Sequence, residues 1–146
     1  MKNALIALAL GPPLLWGCTS SPPEPTSRSA QFTDYPRQLL ETFEISCDGP
    51  GEQFRKTKST QFECLSALPP DTTAFLILSY DGSTQDLPKG IRRLSARRNT
   101  AGYRVDAELF FLIPQKEGAP VKVPIESAAL DQELTTLYRY FGGMPL

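Results

Sequence analysis

The period of apolar and polar positions changes several times along the chain, and each change marks an element. Between Asp34 and Cys47, Pro36 suits a first helical position, and Leu39 or Leu40, Phe43 and Cys47 recur at helical spacing. The end of this segment reads two ways, because Phe43, Ile45 and Cys47 also alternate with Glu44 and Ser46 as in a strand. Asp48-Gly49-Pro50-Gly51 ends either element. Arg55, Lys56 and Lys58 then read as a solvated loop before Phe62 and Cys64, and Pro69-Pro70 breaks the chain.

The central part reads as an antiparallel meander. Ala74 to Tyr80 is apolar on both faces and is followed by Asp81-Gly82, which predicts a central strand and a turn. Ile91 to Arg98 and Tyr103 to Ile113 form the next two strands, joined by a turn over Asn99 to Gly102. In the second of these, Tyr103, Val105, Ala107, Leu109 and Phe111 alternate with Arg104, Asp106 and Glu108, giving one core face and one wet face. Phe110 to Ile113 is apolar on both sides, so a further element must cover the second face there. Val121, Val123 and Ile125 form another strand, placed at an edge by Pro120 and Pro124. Ser127 caps a final helix to Phe141, whose stripe of Leu130, Leu134, Leu137, Tyr138 and Phe141 makes it the expected cover, with Gly142-Gly143 as its stop. The fold class expected is α+β: a small meander of three to five strands, a C-terminal helix packed on one face, and an N-terminal helix or strand.

Ahead of this domain, Lys2 precedes an apolar run from Ala4 to Leu10, resumed at Leu14 and Leu15, that is too short to span a bilayer. Leu15-Trp16-Gly17-Cys18 closes it. This arrangement resembles the lipobox of bacterial membrane lipoproteins, in which the signal peptide is cut before a cysteine that carries lipid. The resemblance implies a signal peptide over residues 1–17, lipidation of Cys18 with diacyl lipid, and attachment to the cell envelope. With Thr19 after the cysteine it further implies the outer membrane, facing the periplasm, in a Gram-negative cell. An ordinary secretory signal or a buried N-terminal helix are the alternative readings of the same residues. Residues 18–34, rich in Ser and Pro, then read as a tether reaching up to about 45 Å if extended, and residues 35–146 as one domain.

Cysteine arithmetic follows from that attachment. If lipid consumes Cys18, then Cys47 and Cys64 remain as an even pair in an oxidising compartment, and a bridge between them closes a loop worth about 3 kcal/mol against the unfolded state. A structural staple is expected rather than a redox pair, since no Cys-x-x-Cys occurs.

Composition narrows the chemistry further. The chain has no histidine, which removes the commonest general base and zinc ligand. Its formal net charge is -1, becoming -2 without Lys2, which argues against general nucleic-acid binding. No phosphate loop, dinucleotide fingerprint or calcium loop is present, and neither cofactor nor metal is expected. The most distinctive cluster is basic: Lys89, Arg92, Arg93, Arg97, Arg98 and Arg104, with no acid between Asp86 and Asp106. If Arg98 pairs with Tyr103, Arg93 lies opposite Glu108 and Arg97 diagonal to Asp106, giving cross-strand ion pairs on a solvated face. Arg92 and Arg98 have no evident acid, so Arg92, Arg93, Arg97 and Arg98 are also candidates for binding anionic lipid, envelope glycan or an acidic partner.

The function expected is a lipid-anchored, non-enzymatic binding or assembly module of the bacterial envelope, with a protein or glycan as partner. An alternative is an inhibitor of a hydrolase. Cys47-Asp48-Gly49, Asp81-Gly82 and the turn from Ser95 to Tyr103 resemble features of the lipoprotein inhibitors of lysozyme.

Overall fold

A computed structural model describes residues 27–146; the expected signal peptide, Cys18 and the first part of the expected tether lie outside the described residues. Three helices and seven strands make an α+β domain around one antiparallel sheet. In chain order these are β1 (Ser29–Phe32), α1 (Arg37–Ile45), β2 (Glu52–Lys58), β3 (Gln61–Ala67), α2 (Pro70–Tyr80), β4 (Lys89–Asn99), β5 (Gly102–Ile113), β6 (Val121–Pro124), α3 (Ala128–Tyr140) and β7 (Met144–Pro145). The sheet runs β2-β3-β4-β5-β1-β7, and β6 adds to β5 beside β1. The long strand β5 therefore organises the sheet. One edge pairs with β4 throughout, while the other pairs first with β1 at residues 103–106 and then with β6 at residues 110–113.

The β4-β5 hairpin has the register expected from its alternation, with Arg98 opposite Tyr103 and Arg93 opposite Glu108. Gly102 makes the turn possible: its φ is +120°, and a Cβ there would strike the carbonyl oxygens of Phe32 and Thr33. The segment with two readings is helix α1 up to Ile45. Alternation would have buried Ile45, whereas the helix turns it outward, 76% exposed, and buries Leu39 and Leu40 instead.

Four expectations are corrected. Residues 29–32 belong to the sheet, not to a tether: Ala30 and Phe32 are buried core and Ser29 and Gln31 face the other way, so the folded domain begins ahead of residue 35. The basic stretch Arg55 to Lys58 is edge strand β2, not a loop. Phe54 holds it in place by stacking on Phe62 and meeting Phe43 edge-on, and its lysines keep an exposed edge from pairing further. Ala74 to Tyr80 is helix α2, not a central strand. Pro70 sits in its first turn with Asp71, and Asp81 closes it in the left-handed region, with the Gly82 N–H donating to the Ile77 carbonyl. Finally, α3 covers the Val105 and Ala107 face of β5 rather than the Phe110 face.

That face carries the main core. Leu39 and Leu40 of α1 and Tyr138 of α3 pack with Phe32, Phe62, Leu94, Val105 and Ala107. Ser127 caps α3 as expected, accepting from the Leu130 N–H. The buried Tyr138 hydroxyl donates to the Arg28 carbonyl at 3.0 Å, and burial pushes its pKa far upward, so it stays a donor. The other face is smaller and mixed: Leu65, Ile91 and Phe110 form a second cluster, and the guanidinium of Arg93 and ammonium of Lys122 lie over the Phe110 ring at 4.8 and 4.1 Å.

Candidate binding site

Helices α1 and α3 diverge on the core face and leave a groove of about 300 Å³ between them. Phe43 of α1 forms one wall, Leu130, Leu134 and Leu137 of α3 the other, and Leu94 and Ala107 the floor. Helical spacing puts the three leucines on one stripe, and they line the groove because Thr135 and Tyr138, not the leucines, are the residues that α3 buries most deeply. Leu130 and Leu137 therefore remain exposed, which differs from the fully buried stripe expected. The polar lining comes from Thr42 and Ser46, from Glu133, and from Arg92 on β4.

Two devices fix this groove. The Cys47 to Cys64 disulfide, with Cα atoms 5.7 Å apart, ties the end of α1 to β3. Beside it, Arg92 Nη2 lies 2.8 Å from Glu52 Oε1 and 3.1 Å from Cys64 Sγ. Glu52 also accepts from the Gly49 N–H and the Ser66 hydroxyl. Burial alone would raise the Glu52 pKa, but those donors and Arg92 outweigh it and hold the carboxyl below its usual range. Arg92 thus has an acid, drawn from β2, that strand-by-strand reading of β4 and β5 does not reach. Cys47, Glu52 and Cys64 bring ligand-type atoms within 4.8 Å of one another, but both sulfurs are spent in the disulfide, so the trio acts as a staple.

The four candidate arginines divide between two faces. Arg92 and Arg98 alternate with Arg93 and Arg97 along β4, so Arg93 and Arg97 stand on the face that α1 and α3 leave open. There Arg55, Glu63, Arg93, Glu108 and Lys122 make a continuous row of alternating charge across five strands. Glu63 is its centre, a buried carboxylate held by Arg55 and Arg93, each at 2.7 Å. Asp106 anchors a second group, taking Arg97 at 2.8 Å, Arg104 at 2.7 Å and the Ser29 hydroxyl at 2.7 Å. Burial would raise the Glu63 and Asp106 pKa values, but their donors lower them. At Glu108 the Lys122 hydrogen bond is the main cause of a lowered value. The expected pairs of Arg93 with Glu108 and Arg97 with Asp106 are present. Arg98 is exposed at the hairpin end and has no acidic partner among the described residues.

Sequence reasoning missed Glu52 and Glu63, whose partners come from other strands, and the groove itself, which exists only once α1 and α3 are placed. Leu130, Leu134 and Leu137 were visible as a stripe, but nothing in the stripe distinguishes a core face from a groove wall. No family model matches the chain, and neither a curated protein nor a solved structure matches it.

Proposed function

We propose that this chain is a lipid-anchored lipoprotein of the bacterial envelope, attached through Cys18, whose domain is a non-enzymatic binding module that holds a partner in the groove between α1 and α3. The groove carries this reading: apolar walls, a few polar groups at the margin and a disulfide-pinned frame are the features of a preformed recognition site. Four carboxylates of the domain are committed to ion pairs on the sheet. Glu52, Glu63, Asp106 and Glu108 are all ion-paired with lowered pKa values, the opposite of the raised value that a general acid needs. In a Gram-negative cell the module would sit on the outer membrane and face the periplasm.

The anchor is tested by metabolic labelling with palmitate. Label is expected in the native protein and absent from Cys18→Ser; an unlabelled native protein in the soluble fraction would remove the lipid anchor. The binding role is tested by crosslinked pull-down of the native anchored protein beside two double variants. Arg92→Ala with Arg98→Ala alters the groove side, and Arg93→Ala with Arg97→Ala alters the open face. Loss of one envelope protein or glycan with the first pair alone is the expected result. Loss with the second pair alone would move the site to the charged face, and recovery of a lysozyme would favour the inhibitor alternative.

A further inference from the structure

Helix α2 is the least accounted-for element of the fold. Ala74 to Leu78 is an unbroken apolar run, yet of the helix only Leu76 is fully buried. Asp71, Ala74, Phe75 and Leu78 follow one another at helical spacing along an exposed stripe, with Phe75 65% and Leu78 84% exposed. A face of this kind marks a contact that the isolated domain does not make.

The topology says what that contact is. Strand β1 runs antiparallel to β5, with Ser29 opposite Asp106, and the Arg28 carbonyl accepts from the Ala107 N–H. Traced backward from Ser29, the chain therefore points toward the Ile113 end of β5. At that same end, Gly82 at the close of α2 packs between Ile77 and Ile113, bridges to Gln115, and Ser83 donates its N–H to the Pro114 carbonyl. The described chain thus heads, toward its N-terminus, for the end of the sheet at which α2 closes. The six residue steps from Ala107 to Ile113 span about 20 Å, and the nine steps from Cys18 to Ser27 reach at most about 30 Å. A chain held at a membrane by its first residues therefore keeps α2 within reach of that membrane.

From this placement, and resting on the membrane attachment proposed above, we infer that α2 lies in the interfacial layer of the same bilayer, with Ala74, Phe75 and Leu78 turned into the lipid. No helix among the described residues is long and apolar enough to cross a membrane, so α2 lies flat. It carries Asp71 and no basic residue, so the contact is apolar and not an attraction to anionic head groups. A second copy is a poor occupant. An 11-residue helix presents one stripe of roughly 150 Å², far below the roughly 800 Å² per partner of a stable interface. The contact would fix the orientation of the domain on the membrane, with the lipid on Cys18 supplying the attachment.

The test uses the full-length protein, extracted from membranes and reconstituted into vesicles of phosphatidylethanolamine and phosphatidylglycerol with and without dibrominated acyl chains. Leu78→Trp and Tyr140→Trp are separate probes, both at highly exposed sites, and the unsubstituted protein supplies the background, which holds no tryptophan once residues 1–17 are removed and only Trp16 if they are retained. Brominated lipid is expected to quench tryptophan at position 78 at least threefold more than at position 140, with little change in 0.5 M salt. Equal or absent quenching would overturn the inference, and so would a blue shift at position 78 without quenching, which signifies cover by protein. The mass of the N-terminal peptide from the same sample reports the lipid on Cys18 independently. If Cys18 proves unmodified, the protein added to the same vesicles still decides the matter, because quenching at position 78 upholds the inference and its absence overturns it.

Discussion

The two faces of the sheet are built from alternate residues of the same strands, yet they are held by different forces. Toward α1 and α3, Leu94, Val105 and Ala107 enter a continuous apolar core with Phe32 and Tyr138. On the other side, the intervening Arg93, Asp106 and Glu108 join rows of ion pairs that cross the sheet from Arg55 to Lys122. The first face is stabilised by area removed from water, which is insensitive to salt and to mild acid. The second depends on charge, and only its buried centre at Glu63 escapes screening by solvent. The comparison teaches that β4 and β5 owe their position to the helix-covered face, while the charged face satisfies itself without a covering layer.

The sharpest break in that comparison is Phe32→Ala on the covered face. Phe32 is buried, meets Tyr138 edge-on at 6.3 Å and closes the core beneath Gly143. We expect a loss of about 3–5 kcal/mol in denaturant titration. Next is removal of the disulfide by Cys47→Ala with Cys64→Ala, expected to cost about 2–4 kcal/mol in the same measurement and to loosen the end of α1 that forms one groove wall. On the charged face the largest effect is at Glu63. Glu63→Gln leaves Arg55 and Arg93 without their shared carboxylate and should cost about 1–3 kcal/mol, reduced from a fully buried pair because Arg55 is half exposed. Arg97→Ala, at a well-exposed guanidinium, should change stability by less than about 0.5 kcal/mol.

Acid sharpens the same contrast. Glu52, Glu63, Asp106 and Glu108 have folded pKa values below their unfolded ones, so each contributes stability that is fully present above the unfolded range near about pH 4 and is lost as pH falls through the folded value. Denaturant titrations at pH 7, 4.5 and 3 should show stability falling toward pH 3. Glu63→Gln should flatten part of that fall, whereas Phe32→Ala should lower the whole curve without changing its slope. A native protein equally stable at pH 7 and pH 3 would contradict the assignment of the ion-paired face.

Legibility in the sequence followed the length and cleanliness of the pattern. The β4-β5 register was readable down to Arg93 opposite Glu108, because two long segments with clear alternation meet at a turn that Gly102 fixes. The C-terminal helix was readable from Ser127 to Phe141 for the same reason, with a cap, a period and a glycine stop in agreement. Helix α2 was not, because a seven-residue run apolar on every side has no period, and the proline at its start spoke more clearly than the run itself. Strand β1 was hidden by its brevity, since Ala30 and Phe32 are two apolar positions at the end of a polar stretch and gain meaning only from the partner strand β5. The same limit applies to the site. The arginines stood out as a cluster, but Glu52 and Glu63 reach them from strands far away in sequence, and the groove depends on how far apart two helices stand.

The most direct test of the binding role is site-specific photocrosslinking in cells, with p-benzoylphenylalanine placed at Leu137 on the groove wall and, in a second strain, at Ser95 on the open face. A discrete crosslinked envelope component at position 137, with none at 95, is the predicted result. Crosslinking at position 95 alone, or none at either, would contradict the assignment of the groove as the binding site.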